Sequence, residues 1–249
     1  MPRTARERSR SGIYHIMLRG INKQNIFEEP EDYKKLTDLL AQCIEIDGIT
    51  VYGYCLMSNH IHLLLKQGAG PLETAMKRLA SKYAVWFNVK YQRGGHLFQD
   101  RFKSEAVEDP PYFLTVLRYI HYNPVKAGDV KAPEDYPYSS CACYFGGAAG
   151  FIDTETAYSY MPAELFAEFH AAGCPETCMD IPEASTPRIT NEQAEAQMRR
   201  ITKCSSSAEF QALPKEKKLK LFAKMKAKGL SIRQIARLTG ETYYNIQKA

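Results

Sequence analysis

Two hydrophobic periodicities alternate along the first 126 residues of the chain. Short runs rich in Val, Ile and Leu are typical of strands, and they occur at residues 13–18, 50–56 and 60–65, with a last strand at about 101–107. Apolar residues spaced three and four apart are typical of helices, and they follow Pro30, Pro71 and Pro110. The chain therefore begins with a regular alternation of strands and helices.

The order of these elements is strand, helix, strand, strand, helix, strand, followed by one added helix. This order predicts the ferredoxin-like α+β fold (β-α-β-β-α-β), in which an antiparallel sheet carries its helices on one face and leaves the other free. Asn123-Pro124 is expected to end the added helix, because the residue before a proline is disfavoured in the helical region.

Residues 191–249 have a different pattern. A lysine-rich helix is predicted up to Gly229, Ser231 is expected to cap a second helix, and Gly240 to form the turn into Thr242–Lys248. Helix, glycine turn and helix are typical of an all-α helix-turn-helix DNA-binding module, although a generic helical hairpin would have the same pattern. The residues expected to contact DNA in this module are Arg233, Thr242, Tyr243 and Asn245.

The charge is distributed unevenly. The formal net charge is +5, but residues 191–249 carry 13 Lys and Arg against 5 Asp and Glu, whereas residues 141–190 carry 1 against 7. A basic module beside an acidic stretch indicates a polyanionic partner such as nucleic acid, the alternative being a solvated basic surface. We therefore divide the chain into a domain at 1–145, an irregular connecting region at 146–190 and the basic module at 191–249.

The sequence contains no run of about 18 apolar residues, and no apolar signal core follows the basic N-terminus, so we expect no membrane partner and a cytoplasmic, nucleoid-associated protein. Seven cysteines, an odd number, argue against a secreted disulfide framework. His170, Cys174 and Cys178 recur at four-residue spacing, but Gly173 and Pro175 interrupt the helix that would turn them into a zinc site. Reduced structural thiols are the preferred interpretation.

His60 and His62 stand two residues apart at the start of the third predicted strand. Side chains alternate between faces along a strand, so both imidazoles would lie on the same side of the sheet and could share one ligand. The alternative is that they are two half-buried histidines with satisfied hydrogen bonds.

The added helix carries Tyr119 and Asn123 four residues apart and therefore on one face. If it packed over the sheet, it would present a phenol and an amide oxygen to the two histidines. Two imidazole nitrogens and one oxygen leave open positions on a divalent ion, as in a catalytic metal site. Tyr122 is a rival nucleophile, and a helical tyrosine is often only a core residue with its hydroxyl bonded.

A metal ion would be needed because a phenol of pKa about 10 is only about one part in a thousand ionised at neutral pH. Mg²⁺ or Mn²⁺ could polarise a scissile phosphate and offset the charge of the transition state. The attack would leave the phosphate bonded to tyrosine, from which a later hydroxyl could displace it without an outside energy source.

Five motifs occur together in chain order: Arg19-Gly20 with Phe27, Cys55 to Leu64, Gly95 to Phe102, Arg118-Tyr119-Ile120 with Asn123-Pro124-Val125, and Tyr138-Ser139-Ser140. In these motifs the chain resembles the HUH-type single-tyrosine transposases, specifically the group of REP-associated tyrosine transposases among the insertion-sequence transposases. The resemblance covers roughly residues 11–144, and the tail resembles the helix-turn-helix of some longer members.

The resemblance implies a ferredoxin-like catalytic domain that nicks and joins single-stranded DNA through a 5′-phosphotyrosine and recognises hairpins formed by imperfect palindromes. It also implies that a divalent metal is required. Residue by residue, His60 and His62 match the histidine pair, Tyr119 the nucleophile and Asn123 the third metal ligand, although that last position is glutamine in related enzymes. Some members of the wider family form homodimers that exchange helices, which would place Tyr119 opposite the histidines of another chain.

The same resemblance marks three basic residues beside the site, Arg19, Arg101 and Lys103, as candidates for phosphate contacts. Two other functions are kept as alternatives. One is a noncatalytic DNA-binding regulator that uses the helix-turn-helix, with duplex DNA as its partner. The other is an RNA-binding module with Tyr14 and Tyr54 stacked on an open sheet.

Overall fold

The computed structural model describes residues 8–179, 191–204 and 206–247, and the chain divides into two compact units, Met1–Asp180 and Ile181–Ala249. Each unit has its own cluster of buried apolar side chains. The predicted linker at 181–187 lies outside the described residues. Within the described part of the chain, no helix is both long enough and apolar enough to cross a membrane.

The first unit is built on one four-stranded sheet. Its elements are β1 (Ile13–Arg19), α1 (Pro30–Asp47), β2 (Thr50–Met57), β3 (His60–Lys66), α2 (Leu72–Lys90), β4 (Lys103–Ala106), α3 (Pro110–Lys126), α4 (Glu155–Tyr160) and α5 (Ala163–Ala171). The strands are antiparallel and lie in the order β2-β3-β1-β4. The predicted antiparallel sheet with accompanying helices is therefore confirmed.

Helix α1 begins at Pro30, as predicted, because a missing N–H has no cost in the first turn of a helix. The Asp32 carboxylate accepts a hydrogen bond from the backbone N–H of Glu29 at 3.0 Å and another from Lys90 Nζ at 2.8 Å. Gly48, with φ of 66°, ends the helix in the left-handed conformation that glycine adopts without strain. These bonds also attach the start of α1 to the end of α2.

Helices cover both faces of the sheet, so the prediction that they occupy one face only is wrong. Helix α2 lies on the face that carries Leu18, whereas α3 packs against β2 and β3 on the histidine face. Gly53 permits this close approach, since a Cβ there would lie 2.5 Å from Cδ1 of Leu117. The physical reason is that α3 has an apolar face, including the fully buried Leu117 and Ile120, which must be removed from water.

Helix α3 also continues through Pro124 to Lys126, although Asn123-Pro124 was expected to end it. Pro124 lacks the N–H that would bond to the carbonyl of Ile120. The side-chain amide of Asn123 compensates in part, because its Nδ2 donates to the Tyr119 carbonyl at 2.9 Å and lies 3.5 Å from the Ile120 carbonyl. This local replacement of a donor explains why the helix persists for one more turn.

The first unit extends beyond the predicted boundary at residue 145. Ile152 forms a parallel bridge with Val51 of β2, and Ile152, Ala157 and Phe166 are buried in the same core as the sheet. Residues 146–179 are therefore part of the compact unit and not an irregular connection. The acidic composition of this stretch does not indicate that a few of its apolar side chains pack into the core of the first unit.

The second unit is all-helical: α6 (Asn191–Thr202), α7 (Ser207–Gln211), α8 (Lys215–Ala227), α9 (Ile232–Thr239) and α10 (Tyr243–Gln247). Ser231 caps α9, accepting a hydrogen bond from the Gln234 N–H at 3.1 Å, and Gly240 ends it with φ of 69°. Phe210, Phe222 and Ile246 are buried in the unit's own core. Lys248, the last residue of the predicted reading helix, lies outside the described residues.

Candidate active site

Strand β3 places His60 and His62 on one face of the sheet. In the antiparallel pairing with β1, His60 lies opposite Arg19 and His62 opposite Met17. The two imidazole rings are perpendicular, with centroids 5.0 Å apart. The two side chains are therefore close enough to contact one ligand.

His62 is fully buried, and burial lowers its pKa well below 6.5, with smaller effects in the same direction from His60 and His15. Its Nδ1 lies 3.0 Å from Nε2 of His15. Its Nε2 is buried and has no hydrogen-bond partner among the described residues. An unpaired buried polar atom costs about 1–3 kcal/mol, so a ligand at this nitrogen would remove a penalty that the fold otherwise carries.

His15 connects His62 to a carboxylate. Its Nδ1 lies 3.6 Å from Oε2 of Glu105 in β4, and this contact lowers the pKa of the Glu105 carboxyl. If His15 carries its proton on Nδ1, the atom that faces Glu105, its Nε2 accepts from Nδ1–H of His62, and the Nε2 of His62 then carries a lone pair. A carboxylate behind a histidine in this way fixes the tautomer that a metal ligand needs.

His15 and Glu105 are not predicted from the sequence, although a signal for His15 exists. His15, Met17 and Arg19 alternate along β1 and so share a face. Only the pairing of β1 with β3 shows that this face is the one that carries the histidine pair.

His60 is held by the turn that precedes its strand. Its Nδ1 lies 2.6 Å from Oδ1 of Asn59, and because a carbonyl oxygen only accepts, His60 is the donor. The Asn59 backbone carbonyl in turn accepts from the Gly20 N–H at 2.9 Å. The turn is thus attached to the end of β1, which restricts the orientation of the His60 ring.

Helix α3 brings Tyr119 to the histidines of the same chain. The centroid of the Tyr119 ring is 5.9 Å from that of His62 and 6.0 Å from that of His15, in edge-on contacts, and the residue is 2% exposed. The ammonium of Lys126 lies 4.6 Å from the same ring centroid. No helix from a second copy is needed for these contacts.

Asn123 lies one turn after Tyr119 and is nearly buried. Its amide NH₂ donates to carbonyls of its own helix, so its Oδ1 is the side-chain atom with which it could bind a cation.

The neighbouring residues of α3 are held away from the histidine pair. The hydroxyl of Tyr122, the rival nucleophile, donates to the backbone carbonyl of His170. His121 is fully buried between His170 and Ser140, at 3.1 and 2.9 Å. Both residues therefore attach α3 to later parts of the unit.

The three basic residues predicted to contact phosphate occupy different places. Arg19 lies opposite His60, and its Nε is buried with no hydrogen-bond partner in the part of the chain that the structure describes. Lys103 pairs with Met17 on the same face and is exposed. Arg101 instead lines a separate groove beside α2. The structure gathers Arg19 and Lys103 on the histidine face, but not Arg101.

Residues 9–123, which include the histidine pair, Tyr119 and Asn123 but not Lys126, Ser140 or His170, match the family described as IS200-like transposases. This match covers the whole sheet but slightly less than half of the chain. The chain is also similar to a Haemophilus influenzae protein named as a REP-associated tyrosine transposase, with 27% identity over an alignment of 149 positions that covers 54% of this chain and 82% of that protein. The resemblance to these transposases, predicted from the ordered motifs, is confirmed.

A solved structure supports the fold of the chain. A REP-associated tyrosine transposase bound to a REP hairpin is similar to the chain with a TM-score of 0.51 and 16% identity, over 76% of this chain and 98% of that one. At this level of identity the likeness concerns the fold, and it extends beyond the residues that match the family.

The described residues of the first unit do not form the open sheet expected of an RNA-binding module. Tyr14 is 5% exposed, and its hydroxyl accepts from the Ser9 N–H at 2.9 Å. Tyr54 is half-buried and stacked against Phe151. Helices cover both faces of the sheet, so neither face is free for bases to stack on these two rings.

The described residues do not assemble the zinc site considered at His170, Cys174 and Cys178. His170 is bonded to His121, α5 ends before Gly173, and burial raises the pKa of Cys178 to about 12. None of the described His, Cys, Asp and Glu side chains forms a group of three or more that could hold a metal ion. The histidine pair supplies only two such ligands, so a third would have to be of another type, such as an amide.

The predicted DNA contacts in the second unit are only partly described. Thr242 and Asn245 are exposed, and their bonds are local: Thr242 Oγ1 accepts from the Asn245 N–H at 3.4 Å, and Asn245 Nδ2 donates to Glu241 at 3.2 Å. The side chains of Arg233 and Tyr243 lie outside the described part of the chain.

Proposed function

We propose that this chain is an IS200-like transposase, a metal-dependent single-strand DNA endonuclease and strand transferase with Tyr119 as its nucleophile. One observation carries the proposal: the Tyr119 ring lies against His62, whose buried Nε2 has no hydrogen-bond partner among the described residues. A potential nucleophile and a potential metal ligand thus meet in one chain. We also propose that the strand order β2-β3-β1-β4 represents the ferredoxin-like arrangement.

His60, His62 and Oδ1 of Asn123 would hold Mg²⁺ or Mn²⁺. The donor set fits, because the neutral His62 offers a nitrogen lone pair and the Asn123 amide nitrogen is already engaged by its helix. When bound, such an ion would polarise the phosphate and offset charge in the transition state.

In the proposed reaction, Oη of Tyr119 bonds to phosphorus while the bond to the 3′-oxygen of the leaving strand breaks. The phenolic proton goes to solvent, and the 3′-oxygen takes up a proton, which leaves a 3′-hydroxyl and a 5′-phosphotyrosine. Attack by another 3′-hydroxyl restores a phosphodiester and releases the phenol. Lys126 would stabilise the developing phenolate, and the buried Nε of Arg19 would bind a phosphate oxygen.

The proposed substrate is single-stranded DNA that folds into hairpins at palindromes. Both relatives are REP-associated tyrosine transposases, and the one of known structure is bound to a REP hairpin. That this chain acts on the same kind of DNA is part of the proposal, because its sequence identities to the two relatives are 27% and 16%.

For the second unit we propose a helix-turn-helix that binds duplex DNA. Its support is a separate core, the capped α9, and exposed lysines that follow one side of α8 at positions 217, 220 and 224. If the first unit had no activity, this module would make the chain a noncatalytic DNA-binding regulator.

The deciding experiment is incubation with Mn²⁺ and single-stranded DNA carrying the palindromes that flank the gene, followed by a denaturing gel. We expect a covalent protein–DNA band that Tyr119→Phe abolishes and Tyr122→Phe retains. Mobility shifts under native conditions without any covalent band would favour the regulator.

A further inference from the structure

A groove of about 770 Å³ separates α2 from the segment 95–102 that leads into β4. Its base includes Leu18, which lies on the opposite sheet face from the histidine pair. The volume is in the range of built ligand sites, roughly 300–1,000 Å³. The proposed chemistry at Tyr119 makes no use of this groove.

The side chains of the groove suit an unpaired nucleotide. On the α2 wall, Ser81 and Ala84 are small and leave room for a flat ring. The facing wall carries Phe98, a half-buried aromatic on which a base can stack. Exposed Lys77 and Arg101, one on each wall, supply cations for phosphates.

Two acidic side chains further restrict the type of ligand that the groove could bind. Glu73 and Asp100 also line the groove. A carboxylate accepts hydrogen bonds from the exocyclic amino groups of cytosine and adenine but repels phosphate. The mixture of two cations, two carboxylates and an aromatic ring therefore fits bases and backbone together better than it fits a bare anion.

The groove wall is attached to the catalytic site by backbone hydrogen bonds. The Gln99 N–H donates to the Arg19 carbonyl at 2.9 Å, and the Ile21 N–H donates to the Leu97 carbonyl at 2.9 Å. Between these two bonds, Gly20 is bonded to Asn59, the residue that holds His60. A strand whose phosphate contacts Arg19 thus needs only to pass the end of β1 to enter the groove.

We propose that this groove binds a short unpaired stretch of the DNA strand next to the phosphate attacked by Tyr119. The proposal rests on the proposed function, because it takes that strand as its ligand. Duplex DNA does not fit the assignment, since its bases are stacked on one another and cannot stack on Phe98. The groove would select the sequence that flanks the cleaved bond.

Two valines one turn apart on α2 provide a matched test. Val85 lines the groove and is 65% exposed, whereas Val89 is 75% exposed and does not line it. Both can accept a polar side chain without loss of core packing. Val85→Glu places a carboxylate where phosphates would lie, and Val89→Glu makes the same change of charge outside the groove.

Binding is measured by fluorescence anisotropy with a labelled single-stranded octanucleotide of random sequence, using full-length Tyr119→Phe protein without divalent metal. Excess unlabelled duplex DNA occupies the other basic surfaces. We expect Val85→Glu and Arg101→Gln to weaken binding by at least about fivefold, and Val89→Glu to bind like its parent. Equal binding by Val85→Glu and Val89→Glu would overturn the proposal.

Photocrosslinking locates the strand independently. The same octanucleotide with 4-thiothymidine should crosslink to peptides from α2 or from residues 95–102, and crosslinks confined to other peptides would contradict the groove. The two proposals fail separately. If Val85→Glu weakens binding but no covalent Tyr119 product forms, the groove is supported and the proposed nucleophilic reaction is contradicted. If a covalent product forms but the two valine variants bind equally, only the groove is contradicted.

Discussion

At the scale of single residues, the site depends on how the His62 imidazole is held. Its Nδ1 faces His15, its Nε2 has no hydrogen-bond partner among the described residues, and burial keeps it neutral. A neutral imidazole fixed by a second imidazole and a carboxylate is a prepared metal ligand. The orientation of His62 should therefore depend on His15 even though His15 itself would not touch the ion.

Replacement of His15 should weaken metal binding. His15→Phe keeps an aromatic ring in the sheet but removes the acceptor for Nδ1 of His62, so we expect the affinity for Mn²⁺ to fall by about 10–100-fold. Isothermal titration calorimetry of the full-length protein without DNA measures this affinity for Mn²⁺. The control is Tyr122→Phe, since that hydroxyl is bonded to His170. Wild-type affinity in His15→Phe would show that His15 does not position His62.

The residues of the site differ in how far the sequence predicts them. The spacing of His60 and His62 and of Tyr119 and Asn123 follows from the periods of a strand and a helix. Lys126 is not predicted, because the expected helix end at Pro124 excludes it from the Tyr119 face. The proximity of His15 depends on which strands pair, and no local pattern carries that information.

At the scale of elements, α3 is held by a later segment of the unit. Arg118 lies 3.6 Å from the ring centroid of Phe169 and donates to its carbonyl at 2.8 Å, and its guanidinium is also paired with Glu176. His121 bonds to His170 in the same segment. The helix that carries Tyr119 is therefore fixed from the side of residues 169–176, beyond the range that matches the family.

The contact between His121 and His170 should make stability depend on pH. Burial lowers the pKa of His170 to about 4 and that of His121 well below 6.5. As pH falls from 6.5 to 5, the unfolded chain takes up protons that the folded chain excludes, so stability decreases. Each such histidine contributes at most about 1.4 kcal/mol per pH unit.

We therefore expect His170→Gln to reduce this pH slope by about 1 kcal/mol per unit. Urea unfolding followed by the fluorescence of Trp86, the one tryptophan of the sequence, reports on the first unit. The slope, and not the absolute stability, is the test, because the variant also loses a hydrogen bond. If the free energy of unfolding changes equally with pH in the wild type and in His170→Gln, His170 is not a source of the pH dependence.

The passage of α3 through Pro124 gives a second test at this scale. Asn123→Ala removes the donor to the Tyr119 and Ile120 carbonyls and should destabilise the unit by about 1–2 kcal/mol. The double variant Asn123→Ala, Pro124→Ala restores a backbone N–H and should recover most of that stability, but not Mn²⁺ affinity. If the double variant is no more stable than the single one, the amide does not replace the missing donor.

At the scale of the whole molecule, the chain has two units with separate cores. The shift of charge predicts the basic second unit, but it misplaces the end of the first. Ile152 and Phe166 lie in an acidic stretch without a sustained apolar repeat, and only the fold shows that they complete the core around β2. Periodicity predicts regular elements well, whereas attachment by single side chains leaves no periodic signal.

Deletion of the second unit should separate DNA anchoring from chemistry. A chain of residues 1–180 retains the sheet, α3 and their core, so we expect it to form the Tyr119 adduct. It loses a segment with 14 basic and 6 acidic residues, and its affinity for a duplex at low salt should fall about tenfold or more, with a smaller salt slope. Unchanged duplex binding would place the DNA contacts in the first unit.

The residue that becomes bonded to DNA is the most direct test of the proposed mechanism. After reaction with hairpin DNA and Mn²⁺, nuclease and protease digestion followed by mass spectrometry identifies the modified peptide. We predict a nucleotide linked through a 5′-phosphate to Tyr119, and none on that peptide without metal. A nucleotide on Tyr122, or a complete lack of modified peptide with a substrate that the protein binds, would contradict the proposed nucleophile.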